Sequence, residues 1–344
     1  MMSEEKGAFA WDSSNPNWQL WMEKGIFGSR PEPPFEDEEM LKQVWGRKWG
    51  VSDEVGILRV VLVHRPREEE FKFVTADSPY DEKVGWRYDP EGNWLWPGKD
   101  LPDVPKMQEE HDRLVEIMRN EGIEVINLEE TVSPGSHVMA CMSRDYAVAV
   151  KGGVIICRMA QKYRRGEESL VAKKIASLGV PILRTIHGTG VFEGGNFALL
   201  NEENAVVGRS AATNEEGARQ VEEVLRVLGI NLIRMDIPDH QTHIDGFLGM
   251  IGKNLALVNP YVPYSFREKL KELGIKIIPT GAGVFDVNVL VLRPGKIVAS
   301  HISSKTTKTL EKQGIKVIKH DMLELEKAQG GPRCATCPLI RDLA

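Results

Sequence analysis

The sequence predicts an α/β chain: a closed, pseudo-fivefold propeller of ββαβ repeats. Three observations carry this. A helix–glycine–strand pattern recurs at Gly122, Gly179, Gly229, Gly274 and Gly314, in "NEGIEVINL", "SLGVPILRT", "VLGINLIRM", "ELGIKIIPT" and "KQGIKVIKH". Each glycine sits where a helix ends in the left-handed conformation. Hairpin-like pairs of apolar runs separate the copies. Five such units can close on themselves, which removes the exposed sheet edges and leaves an axis where loops converge. The rival arrangement, an open sheet with crossover helices, expects single strands between helices.

The elements follow in order. "ILRVVLVHRP" at 57–66 reads as a strand ahead of the first helix, "MQEEHDRLVEIMRN". The hairpins are "DYAVAVKGGVIICR", "FALLNEENAVVGRS", "FLGMIGKNLALVNP" and "VNVLVLRPGKIVAS". They alternate with "EESLVAKKIASL", "EEGARQVEEVLRVL", "SFREKLKEL" and "SKTTKTLEKQ", whose apolar residues recur at helical spacing. Residues 1–55 fall outside the repeat and read as a Trp- and Pro-rich extension holding Trp11, Trp18, Trp21, Trp45 and Trp49. Residues 56–344 read as a single catalytic domain. Within it, 67–105 form an irregular stretch with Trp86, Trp94 and Trp96, read as a lid, an interface segment or an outer packing layer.

Composition excludes several classes. The chain has 344 residues, 42% hydrophobic, with net charge −6. No basic stripe calls for a nucleic acid. No apolar run is long enough for a membrane span. The opening "MMSEEKGAFAWDSS" has no secretory pattern, so a cytoplasmic location is expected. The four cysteines, Cys141, Cys157, Cys334 and Cys337, are too few for a disulfide scaffold. Cys334-Ala-Thr-Cys337 raises zinc or a redox pair, but no second ligand pair accompanies it and no helix follows it. Neither a metal nor an organic cofactor is expected. No glycine-rich phosphate loop follows a strand, since "GTGVFEGG" has the wrong spacing.

Polar residues occupy one slot after each repeat glycine. They are Asp145, then Glu193 with Asn196, then His243 with Asp245, then Asp286 with Asn288, and finally Cys334 in "GGPRC". Each taken alone reads as a turn cap or surface group; in a closed ring they would face one axis. His243 and Asp245, at i and i+2, are expected on one face of an extended strand. A thiol beside a histidine is a nucleophile with its general acid and base. Surrounding carboxylates suit a cation, best a planar guanidinium.

At "GILRVVLVHRP", "MSRD", "FEGGN", "THIDGF" and "GGPRC" the chain resembles the guanidino-group-modifying superfamily of arginine deiminases, dimethylarginine dimethylaminohydrolases and amidinotransferases, with its five-bladed pentein fold. The resemblance runs from about residue 56 to the end. It implies Cys334 as nucleophile and His243 as general acid and base. It implies Asp145, Glu193 and Asp245 as guanidinium holders, with Asn196 and Arg333 in the substrate-binding set. It implies a small guanidino compound as partner and leaves homo-oligomerisation open. Glu193 resembles the hydrolases; Asp245 and "GGPRC" look most like arginine deiminase. Two departures stand out. Asn196 occupies a position where Asp is common, and Ala212 one where relatives often carry an arginine for the substrate carboxylate. Arg184, Arg209 and Arg333 are the other candidates for that task. The implied reading is a Cys-dependent hydrolase of a guanidino substrate working through a covalent thiouronium. The alternatives are an amidinotransferase and a non-catalytic binding protein of the same fold.

Overall fold

The five repeat glycines do end helices. Gly122, Gly179, Gly229, Gly274 and Gly314 have φ of 77, 73, 72, 73 and 76°. They follow helices Val104–Asn120, Glu167–Ser177, Glu215–Val227, Tyr264–Glu272 and Ser304–Lys312. At Gly274 a Cβ would meet nothing within 4 Å, so backbone conformation alone demands glycine. Gly274→Ala is expected to lower unfolding stability by about 1–2 kcal/mol, read from denaturant titration.

The computed structural model describes residues 14–24, 33–128, 137–237 and 241–344; Trp11 and part of the proline cluster lie outside them. The architecture is mixed α/β, built on five mixed three-stranded sheets. In each, the middle strand pairs antiparallel with one neighbour and parallel with the strand after the helix. The second sheet holds Ala147–Val150, Gly153–Ile156 and Ile182–Thr185; the third, Phe197–Leu199, Asn204–Arg209 and Asn231–Asp236. The fourth holds Leu248–Gly252, Leu255–Val258 and Lys276–Pro279; the fifth, Leu290–Arg293, Lys296–Ala299 and Lys316–Lys319.

The first sheet departs from the simple repeat. Its middle strand, Leu58–Val63, is parallel to Glu124–Asn127 and antiparallel to Cys337–Arg341. The end of the chain thus supplies the strand that the first repeat lacks. Cys334 in "GGPRC" therefore leads directly into a buried strand.

The strands are hydrophobic because both faces are covered. Ala147–Val150 and Gly153–Ile156 are buried throughout, and the amphipathic helices bury residues such as Leu114, Val171, Val221, Leu270 and Leu310. The segment before the first strand joins the core too. Trp49 belongs to the same buried cluster as Val60, Leu62 and Leu339, and Val55 to that of Ala198 and Val206. Residues 67–105 are not irregular throughout. They contain a separate antiparallel sheet of Tyr80–Asp81, Trp86–Tyr88 and Trp94–Pro97. No helix among the described residues is long and apolar enough to cross a membrane.

Candidate active site

Two of the polar slots are built alike. Glu193 and His243 each stand in extended conformation just before a single 3-10 turn, Gly194–Asn196 and Ile244–Gly246. The two turns touch. His243 Nε2 lies 2.8 Å from Glu193 Oε2, and Nδ1 lies 3.6 Å from Asp145 Oδ1. The expectation of one extended strand through His243 and Asp245 is corrected here. Asp245 lies inside the turn, so the two side chains diverge. His243 turns to Glu193, while Asp245 Oδ2 accepts a hydrogen bond from Cys334 Sγ at 3.0 Å.

Asn288 completes the thiol's surroundings. Its Nδ2 donates to Cys334 Sγ at 2.9 Å, and its Oδ1 accepts from the Arg333 N–H at 3.2 Å. Asp286 instead accepts from the N–H of Ser303, the N-cap of helix Ser304–Lys312, and so braces that helix start. Gly195 is required by close approach. A Cβ there would lie 2.6 Å from His243 Nδ1 and 2.8 Å from Asp145 Oδ1.

The charge state follows from burial and neighbours. Cys334 is 4% exposed. Burial, with Asp245 and Asp145 behind it, pushes its thiol well above the ordinary range. Burial alone would lower the His243 pKa, but Asp145 and Glu193 overrule it and hold the imidazole at about 9. At neutral pH the resting pair is therefore thiol and imidazolium. The His243 side chain keeps 16% exposure, a route to solvent for a proton carrier. Asp145, Glu193 and His243 place ligand atoms within 4.8 Å of one another, a set able to hold a cation.

The other two expected binders make their bonds elsewhere. The Asn196 amide donates to Ser210 Oγ and Thr213 Oγ1, both at 3.0 Å. The Arg333 guanidinium donates to Glu54 at 3.1 Å and to the Phe197 carbonyl at 3.5 Å. Arg184 pairs with Glu223, and Arg209 with Asp236. Ala212 is buried, its carbonyl accepting from the Glu193 N–H. The thiols of Cys334 and Cys337 also face apart. Cys337 points to the Ala147 carbonyl at 3.3 Å, and both are free.

Several residues escaped sequence reading. Arg164 is buried, donating to Asp145 Oδ2 at 2.7 Å and to Glu167 Oε2 at 2.8 Å. Glu54, just ahead of the first strand, accepts from Arg144 at 2.7 Å and from Arg333 at 3.1 Å. Those arginines immediately precede Asp145 and Cys334, so one carboxylate ties two loops of the site together. The sequence carries only a partial hint: "RD" and "RC" put a cation before two slot residues. Burial would raise the Glu54 pKa, but Arg144, Arg333 and Arg341 hold it down at about 2, against an ordinary 4.5. Its contribution is complete above the ordinary value and is lost as pH falls toward 2. Glu54→Gln strands two buried guanidiniums. It is expected to cost about 3–5 kcal/mol in urea unfolding and to lower kcat as both loops lose their anchor.

The chain is similar to known proteins over most of its length. The family described as N,N dimethylarginine dimethylhydrolase, eukaryotic, matches residues 104–341. An arginine deiminase of Mycobacterium marinum is 23% identical, over 85% of this chain and 98% of its own length. The Bacillus subtilis protein YkgA, described as uncharacterized, is 25% identical over 69% of this chain and 82% of its own. Among solved structures, Pseudomonas aeruginosa dimethylarginine dimethylaminohydrolase complexed with citrulline superposes with a TM-score of 0.65. It is 18% identical, covering 83% of this chain and all of that one. The inosamine-phosphate amidinotransferase of Streptomyces griseus gives 0.64 at 19% identity, over 86% of this chain and 97% of that one. These share the pentein α/β fold. The match spans well over half of the sequence, and the chain belongs to the N,N dimethylarginine dimethylhydrolase family, enzymes of the guanidino-group-modifying superfamily.

Proposed function

We propose that this chain hydrolyses a guanidino substrate through a covalent thiouronium on Cys334. The observation that carries the reading is one buried cluster. Cys334 is hydrogen-bonded to Asp245 and Asn288, and beside it the His243 imidazole is held by Glu193 and faced by Asp145. Asp145, Glu193 and Asp245 are the groups that would hold the guanidinium, whose planar fork suits carboxylates. We also read the five mixed sheets as blades about one axis. In support, the first sheet packs against the second through Cys337–Arg341 and Ala147–Val150, and against the fifth through Leu58–Val63 and Leu290–Arg293.

Each step conserves atoms and charge. The guanidinium brings a positive charge into the acidic cluster, so the thiol loses its proton to solvent by way of Asp245 without changing the net charge. The thiolate adds to the central carbon. His243 donates a proton to the departing amine, whose C–N bond breaks, leaving a thiouronium and a neutral imidazole. Water then gives one proton to His243 and adds to the same carbon. The C–S bond breaks, and the second water proton returns to sulfur. The products are a urea and an amine. Asn288 Nδ2 steadies the sulfur anion whenever it forms.

Incubation with N,N-dimethylarginine, and separately with L-arginine, tests the reading. Dimethylamine or ammonia should appear with equimolar citrulline, above a Cys334→Ser blank. Product only after an amine such as glycine is added would establish the transferase reading, which the likeness to amidinotransferases favours. No product under either condition would sink both. A pH profile gives a further check. Imidazolium is the acid, and its pKa is raised to about 9. In the bound complex, where the thiol is already ionised, kcat should therefore hold up to about that pH and fall above it, close to tenfold per unit. The same raised value stabilises the fold below the ordinary 6.5, and that contribution fades as pH passes 9.

A further inference from the structure

Residues 67–105 belong to none of the five mixed sheets, yet they are firmly built. Trp96 is fully buried, its ring 5.8 Å from that of Phe71. The Arg87 guanidinium donates to the carbonyl of Ser78 at 2.7 Å. Asp89 closes the tip of the second hairpin, accepting from the N–H groups of Glu91 and Asn93 and from the Asn93 amide at 2.7–2.9 Å. Facing this tip is the short helix Lys162–Arg164. Between them lies a cavity of about 460 Å³.

The lining has a definite chemistry. Trp86, Trp94 and Tyr163 supply aromatic walls, with Trp86 and Tyr163 6.0 Å apart and tilted. Trp94 is left 38% exposed. Glu91 and Lys162 bring opposite charges to the same cavity, and neither has an ion-pair partner among the described residues. The volume falls in the range of small-molecule sites, and apolar walls with a few polar groups are their usual make-up. The cavity adjoins the catalytic cluster, through the Ala160 N–H that donates to Glu193 at 2.7 Å, but Cys334, His243, Asp145, Glu193 and Asp245 do not line it. Tyr163 lines it, whereas the next residue, Arg164, turns inward to Asp145.

We propose that this cavity is a second binding site, for a free α-amino acid with a large apolar side chain. The side chain stacks among Trp86, Trp94 and Tyr163. The ammonium is held by Glu91 and the indole faces, and the carboxylate by Lys162. Binding is a property of this hairpin and does not depend on the catalytic reading.

Isothermal titration of the full chain with three probes tests it. They are L-phenylalanine, 2-phenylethylamine, which lacks the carboxylate, and 3-phenylpropanoate, which lacks the ammonium. L-phenylalanine should bind saturably, one per chain. Each truncated probe should bind about tenfold more weakly, the worth of one charged hydrogen bond. Trp94→Ala and Glu91→Gln alter exposed side chains, and unchanged thermal midpoints would confirm their folding. Both should weaken L-phenylalanine binding by tenfold or more. No saturable heat with L-phenylalanine, equal binding of all three probes, or undiminished binding in folded Trp94→Ala would each overturn the proposal.

Discussion

Cys334→Ser is expected to reduce kcat on the order of 10⁴- to 10⁶-fold while leaving the fold intact. A serine hydroxyl keeps the size and the hydrogen bond to Asp245. It cannot become an anion in this setting. Even the thiol is pushed up by burial and two carboxylates, and is released only when a cationic substrate enters. An alcohol is far less acidic, so the same added charge falls well short. Substrate binding should survive, because Asp145, Glu193 and Asp245 are untouched. The pattern to look for is a collapsed kcat with near-normal affinity, measured by single-turnover kinetics beside equilibrium binding. Residual turnover within tenfold of wild type would remove Cys334 from the nucleophile role.

His243→Asn should lower kcat by about 10²- to 10⁴-fold, and unequally across the two half-reactions. Asparagine cannot donate a proton to a departing amine, nor take one from water. An S-alkyl isothiourea analogue presents a thiolate leaving group that needs no such proton. With it, the first half-reaction should recover in His243→Asn. The second should stay slow, so the thiouronium would accumulate. The alkaline limb near pH 9 should also vanish in this variant, because the group responsible is gone. Equal loss with both substrates would place His243 outside leaving-group protonation.

Much of this arrangement is legible in the chain, because it rests on local rules repeated. Helix ends at Gly179 or Gly274 and hairpins such as "DYAVAVKGGVIICR" declare themselves within a dozen residues. So does the slot rhythm that brings Glu193 and His243 to equivalent places. The pairing of the first sheet is not local. The partner of Leu58–Val63 is Cys337–Arg341, at the far end of the sequence, and no nearby pattern announces it. Glu54 is hidden for the same reason. It lies outside the repeat, and its meaning depends on Arg144 and Arg333, which are distant in sequence. Arg144 resembles a surface partner for Asp145 until burial is known. Arg164 sits in "QKYRRGEE", a charged run that reads as solvated, yet it turns into the core toward Glu167 and Asp145. The sheet in 67–105 is obscured by strands of two to four residues, too short for alternation to show. Asp286 and Asn288 share one slot, and spacing alone does not say which braces a helix start and which faces the thiol.

The covalent intermediate is the centre of this account, and intact-protein mass spectrometry tests it most directly. His243→Asn would be mixed with the S-alkyl isothiourea analogue, quenched in acid and weighed, with the adduct located by peptide mapping. The expected result is a mass increase equal to the substituted amidino group, confined to the Cys334 peptide and absent when Cys334 is also replaced by serine. An unmodified mass while product forms, or an adduct on another residue, would contradict the mechanism.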